Sequence, residues 1–372
     1  MRRDFLHRLI PYSRPHLGLG PILLAGLLFL GSMPGQTAEQ PSAVTATEQP
    51  SAVTVTEQPS AVILMYHRFG EDGLSSTNIR LDQFEAQIAE LQSGNYTVLP
   101  LPKIIAALQA GTKLPDRTIA ITVDDGFLSV YEEAMPRLKK AGFPFTVFIS
   151  TDAIDNGYRD FMSWEQVREL VASGVTIGAH TASHLHMADA TAEKNLTDIQ
   201  RSNRRFEEEL GFVPELFAYP FGEAGSQVEA IARESGYVSA FGQHSSVAYW
   251  GSDFYNLPRF SLNERYGTID RFRRIINALP LPVTDKLPVN TTMNTAWPIV
   301  GFTVDEGIEG LNQIACYPSN GGDATLENLG NRRVEVRYVS ELPLGRSRLN
   351  CTMPAQDGRW RWLGYMFYRR QP

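Results

Sequence analysis

The chain has 372 residues, of which 43% are hydrophobic and 20% charged, and carries a formal net charge of −7. Such a composition agrees with a globular enzyme able to bury a full-size core and one smaller companion domain. The acidic balance, with no basic run in the central part, gives nucleic-acid binding no support and points to a neutral or cationic substrate.

In chain order, residues 1–38 read as a signal peptide or N-terminal anchor. Arg2, Arg3, Arg8 and Arg14 precede an apolar stretch over 17–30, and Thr37 with Ala38 offers a small-residue cleavage site. The stretch is broken by Gly and Pro and is shorter than the roughly twenty residues of a spanning helix. Export to the periplasm or the extracellular space is the expectation, with a membrane tether as the alternative to cleavage. The Arg2-Arg3 pair also resembles the twin-arginine export signal. Residues 39–60 restate Glu-Gln-Pro-Ser-Ala-Val from Glu39, Glu48 and Glu57, a polar repeat without an apolar face and hence a linker.

From residue 61 the pattern alternates. Strands are expected near 61–66, 96–99, 118–123, 144–150, 175–178, 215–219 and 237–242, and helices over 81–92, 128–141, 164–172, 192–210 and 227–235. This is an α/β architecture with a parallel sheet. A last helix over 269–279 and the prolines 280, 282 and 288 mark a boundary, so that 61–285 forms one domain and 286–372 a small β-rich one. There Val334, Val336 and Tyr338 alternate with Glu335 and Arg337 as in a half-buried strand. Cys316 and Cys351 are the only cysteines, and in an exported chain a disulfide is the economical reading. Trp360 and Trp362 share one strand face. Such a pair either stacks on sugar rings or fills the small domain's core.

Two motifs carry chemistry. Thr122-Val123-Asp124-Asp125-Gly126 closes one expected strand, and His180-Thr181-Ala182-Ser183-His184 follows another. Asp-Asp-Gly alone is more often a turn, and two histidines four apart can be chance. Together, each after a strand, they offer two imidazoles and one carboxylate to a divalent ion and leave a second carboxylate free. Catalytic zinc takes three such ligands and lowers the pKa of a bound water to about 7.

On these residues the chain resembles the polysaccharide deacetylases of the NodB-homology class, carbohydrate esterase family four. The resemblance implies a distorted (β/α)7 barrel with its site at the strands' C-terminal ends. It makes Asp124 the general base and Asp125, His180 and His184 the ligands of Zn2+ or another divalent transition metal. His186 does not fit the family spacing. The family's Arg-x-Pro-Tyr segment is present only in part, as Ala218-Tyr219-Pro220-Phe221-Gly222, without the arginine that orients the catalytic aspartate. By analogy Tyr219 and Pro220 line the substrate, and the Phe221 N–H faces the oxyanion.

The start Tyr66-His67-Arg68 resembles a circularly permuted branch, the poly-β-1,6-N-acetylglucosamine deacetylases of biofilm systems. In that branch His67 inherits the general-acid role, and Arg259 is the candidate for the missing arginine. Simpler roles for these two are a strand-end imidazole bonded to a carbonyl and a salt bridge. The resemblance spans roughly residues 61–285. It implies N-deacetylation of a GlcNAc-containing polysaccharide. A peptidoglycan N-deacetylase or glycan O-acetyl esterase on the same scaffold is the alternative, and a vestigial carbohydrate-binding protein is opposed by the intact four-residue set. An amide nitrogen is a poor leaving group, so besides the base an acid must face it.

Overall fold

β1 (Ser60–Tyr66) and β2 (Thr118–Val123) are apolar along almost their whole length, as strands covered on both faces must be. They pair in parallel, and β3 (Thr146–Ile149), β4 (Thr176–Ala179), β5 (Leu216–Ala218) and β6 (Ser239–Phe241) continue the sheet in chain order. The computed structural model describes residues 58–319 and 324–371. The expected leader at 1–38 and all but the end of the repeat linker at 39–60 lie outside the described residues. Among the described residues no helix is long and apolar enough to cross a membrane.

One short segment joins the sheet's two edges. Leu257 bridges Phe241 of β6, and three residues later β7 (Phe260–Ser261) runs parallel to β1. The sheet, nine-stranded with its short edge additions, thereby curls into the expected barrel-like form.

Strand parity decides what faces inward, because alternate residues line one face. Ala61, Ile63, Ala120, Phe148, Ala218 and Phe241 form an inner apolar cluster, plugged by the helix Leu101–Gln109. Their neighbours Val62, Leu64, Ile119, Ile121, Val147 and Phe217 belong to a larger cluster shared with the flanking helices. Gly178 on β4 is also inward, since a Cβ there would meet the Phe148 ring at 2.3 Å. The helix expected over 128–141 begins as a π-helical turn at Val130–Ala134 before the regular Met135–Ala141.

The C-terminal region contains β8 (Val283–Leu287), β9 (Val300–Val304), β10 (Ala315–Pro318), β11 (Ala324–Asn328), β12 (Arg333–Tyr338), β13 (Gly345–Pro354) and β14 (Trp360–Arg369). They form two sheets, β8-β9-β12-β11 and β14-β13-β10. Leu279–Pro280 and Thr292–Met293 add to the β14 edge, so β-structure starts ahead of residue 286. One apolar cluster lies between the sheets, with Val334, Val336 and Tyr338 facing it as their alternation requires. Cys316 and Cys351, directly opposite on β10 and β13, are disulfide-bonded.

β14 also seats against the α/β part. Trp362 packs edge-on to Phe260 of the closing segment, with ring centroids 5.2 Å apart, and its carbonyl accepts from the Ser246 hydroxyl at 2.8 Å. A Cβ on Gly364 would fall 2.1 Å from the Ser245 carbonyl oxygen. Trp362→Ala should therefore lower stability by about 2–3 kcal/mol, the lower range for truncating a large aromatic because this one is only partly buried. Denaturant unfolding of the variant checks it; an unchanged midpoint would mean that this seam contributes little.

Candidate active site

The inner columns of three strands run straight into the site. Ala61 and Ile63 lead to His67, Ala120 and Thr122 to Asp124, and Gly178 to His180. Asp124 N–H donates to the Tyr66 carbonyl at 2.9 Å, continuing the β1–β2 register so that His67 comes beside Asp124. Parity alone would send Asp125 outward. Its left-handed φ of 79°, followed by 86° at Gly126, turns the carboxylate back. Thr181, His184 and Phe221 also have positive φ, at 62°, 54° and 59°. Such clustering of strained backbone is characteristic of functional sites.

Asp124 and Arg259 form a bidentate pair within the inner face, both fully buried. Nη1 reaches Oδ1 at 2.6 Å and Nη2 reaches Oδ2 at 2.8 Å, while Nε donates to the Gly242 carbonyl at 3.0 Å. Burial pushes the Asp124 pKa up, but the opposing charges of Arg259 and His180 outweigh it and leave the carboxyl below its ordinary range. Burial lowers the His67 pKa, and the nearby Asp125 and Asp124 carboxylates only partly offset this.

Asp125, His180 and His184 bring one ligand atom each within 4.8 Å of one another. His180 Nδ1 lies 2.7 Å from the Ala218 carbonyl oxygen. A carbonyl can only accept, so Nδ1 carries the proton and Nε2 presents a lone pair. That Nε2 faces Asp125 Oδ1 at 3.3 Å, and both atoms are buried without a hydrogen-bond partner. His184 Nε2 approaches the same oxygen at 3.2 Å. Acceptors converging in this way fit a shared cation, and a carbonyl accepting from the far ring nitrogen is the usual way to orient an imidazole toward one. Burial lowers the His180 pKa, but Asp125 and Asp124 overcome it and raise it above 6.5. The same imidazoles hold the Asp125 carboxyl well below its ordinary range against its burial.

Beside Asp125 and His184 opens a cavity of about 500 Å³ walled by Phe127, Tyr158, Phe161 and Arg68. Arg68 lies 3.4 Å above the Phe127 ring and is held by Glu71 at 2.5 Å. The volume falls within the range of small-molecule sites.

Other expected contacts do not converge there. Tyr219 sits on the outward parity of β5, fully buried against Phe217, and its hydroxyl donates to the Tyr255 carbonyl at 2.7 Å. Pro220 is buried as well. Neither side chain is free to line a substrate; the turn's half-buried contribution is Phe221, whose ring packs edge-on to His184 at 4.3 Å. Trp362 is engaged in the seam with Phe260 and donates Nε1 to Asn350 at 3.1 Å, whereas Trp360 is 41% exposed, so the two do not form one stacking face. Sequence reasoning assigned no role to Glu223, which is buried and receives His186 Nδ1 at 3.1 Å. A carboxylate directly after Phe221-Gly222 was the available signal.

Residues 111–240 match the family model for polysaccharide deacetylase. The chain is 24% identical over 215 residues to the poly-β-1,6-N-acetyl-D-glucosamine N-deacetylase of Staphylococcus aureus (strain MSSA476), covering 55% of this chain and 72% of the relative. It is similar in structure to IcaB from Ammonifex degensii, with 25% identity, a TM-score of 0.54, and 59% of this chain matched to 98% of that one. The Streptococcus pyogenes deacetylase PplD in complex with acetate shares the fold at 21% identity and a TM-score of 0.55, with 59% of this chain matched to 99% of that one. The fold is thus that of the NodB-type deacetylases, hydrolases by class. Residues 111–240 of the chain thus carry a polysaccharide deacetylase domain.

The neighbouring carboxylates raise the His180 pKa, so a cation at this site competes with a proton for Nε2. Apparent zinc affinity should therefore fall as pH drops through the raised pKa of His180, by up to about tenfold per unit below it, with proton release on binding. Calorimetric titration in two buffers of different ionisation enthalpy checks this. A flat affinity without proton release would contradict the site.

Proposed function

We propose that this protein is an exported, metal-dependent N-deacetylase of a GlcNAc-containing polysaccharide, with Asp125, His180 and His184 holding Zn2+ or a similar divalent ion. The observation that carries the reading is the pair of bare acceptors, His180 Nε2 and Asp125 Oδ1, facing each other in a buried mouth. The named N-deacetylase relative supports the substrate class. The leader-like sequence and the Cys316–Cys351 disulfide support export.

A divalent ion bound there would lower the pKa of a coordinated water to about 7, supplying hydroxide at neutral pH. Asp124, kept ionised by Arg259, takes the water's proton during attack on the acetyl carbonyl carbon. Its bidentate clamp leaves further lone pairs free and fixes their direction. The Phe221 peptide N–H faces the developing oxyanion, by analogy with the family. His67, one strand over from Asp124, passes a proton to the nitrogen as the C–N bond breaks. Acetate and a free amine leave. Burial lowers its pKa, so that His67 is a stronger acid when protonated and is protonated in a smaller fraction of the enzyme at neutral pH. The cavity beside Asp125 and His184, with its aromatic wall, would take the sugar chain.

Two substitutions separate the roles. Asp124→Asn keeps the shape facing Arg259 and should retain stoichiometric zinc while losing about 10²- to 10⁴-fold in the rate of acetate release, as should His67→Asn on amides. On an aryl acetate the His67→Asn loss should be much smaller, since a phenolate departs without an acid. Loss of zinc from Asp124→Asn would overturn the base assignment, and equal losses on amide and aryl ester would overturn the acid assignment.

A further inference from the structure

The His184 loop and the Phe221 turn are both gripped by the C-terminal β-region. Arg346 on β13 donates Nη1 to the Phe221 carbonyl at 3.3 Å, places its guanidinium carbon 5.3 Å from the Phe221 ring centroid, and sets Nε 3.7 Å from the Glu223 carboxylate. Glu223 is only 1% exposed and is paired from its other side by His186. A buried carboxylate is costly unless partnered, and its two partners come from different parts of the fold. His186 stacks flat on Phe221, with centroids 3.8 Å apart and planes at 5°, and the same ring packs edge-on to His184.

The grip is reinforced around Arg346. Tyr368, its cross-strand partner on β14, donates to Asp189. Arg370 Nε donates to the Ala188 carbonyl at 2.8 Å, and Thr292 Oγ1 to the Ala224 carbonyl at 3.0 Å. Phe221 needs such support, because its φ of 59° is a conformation that a non-glycine residue keeps only where its surroundings impose it. The solved deacetylase chains are matched almost end to end by 59% of this chain, a stretch about as long as the α/β part alone.

We propose that Arg346 is a positioning residue of the active site: through Phe221, and through Glu223 and His186, it fixes the ring against His184 and the Phe221 peptide, so that the β-region completes the wall of the metal site. The inference rests on the deacetylase reading for its effect on turnover, but not for its effect on ion binding.

The test uses the full chain with Arg346→Ala, Arg346→Lys, Glu223→Gln and, as a control on the exposed face of β12, Arg337→Ala. Cobalt(II) affinity is read by visible absorption, kcat and KM by acetate release from a chitooligosaccharide, and folding by thermal unfolding. Arg346→Ala should bind cobalt about tenfold more weakly and lose about tenfold in kcat with KM within about twofold, the size expected for a residue supporting a ligand. Arg346→Lys, which keeps a cation and a donor for the Phe221 carbonyl, should recover part of both. Glu223→Gln should reproduce the cobalt loss, which serves as the reading should Arg346→Ala fail to fold. Wild-type cobalt affinity in both Arg346→Ala and Glu223→Gln would overturn the proposal, as would an equal loss in Arg337→Ala or a loss that lysine does not relieve. If the wild-type chain released no acetate, the deacetylase reading would fail while the cobalt measurements still decided the role of Arg346.

Discussion

The buried ion pair between Asp124 and Arg259 sets the terms for the rest of the site. Two consecutive carboxylates, Asp124 and Asp125, are confined to one desolvated mouth, where like charges cannot both persist unless each has its own positive partner. Arg259 supplies one partner through two short hydrogen bonds. The remaining carboxylate, facing the lone pair of His180, is left to a cation. On the proposed function, one aspartate stays free as the base while its neighbour serves as a ligand. Removing one member of such a pair typically costs about 3–5 kcal/mol, because the other is left charged and unpaired.

The same pair ties fold closure to chemistry. Arg259 lies between Leu257, which bridges β6, and Phe260, which pairs with β1. The segment that joins the sheet's edges therefore carries the guanidinium into the inner face, next to Thr122 at 3.2 Å and over the Phe148 ring at 5.3 Å. The Ala218 turn carries no arginine, and the one that pairs with Asp124 lies some forty residues later in the chain.

Much of this was legible in the sequence because strands deliver side chains by parity. The runs before His67, Asp124 and His180 place all three on inner columns, and the Asp-Asp-Gly and His-x-x-x-His spacings carry the ligand set. The same rule, applied to Leu216-Phe217-Ala218-Tyr219, would have put Tyr219 on the outer face; motif analogy overrode it. Trp362 was ambiguous because alternation within β14 does not reveal that one of its faces meets the α/β part. The pairing of Glu223 with Arg346 was invisible for a different reason. The two are 123 positions apart in the chain, and only the packing of β13 against the Phe221 turn brings their charges together.

The central claim is that an ion held by Asp125, His180 and His184 is required for removing acetyl groups from a GlcNAc polymer. Acetate release from poly-β-1,6-N-acetylglucosamine, measured on the purified full-length chain after exhaustive chelation and again after stoichiometric zinc is returned, tests it most directly. The account requires release to stop in the ion-free protein and to return with the metal. Undiminished release by protein shown to be free of metal would contradict it.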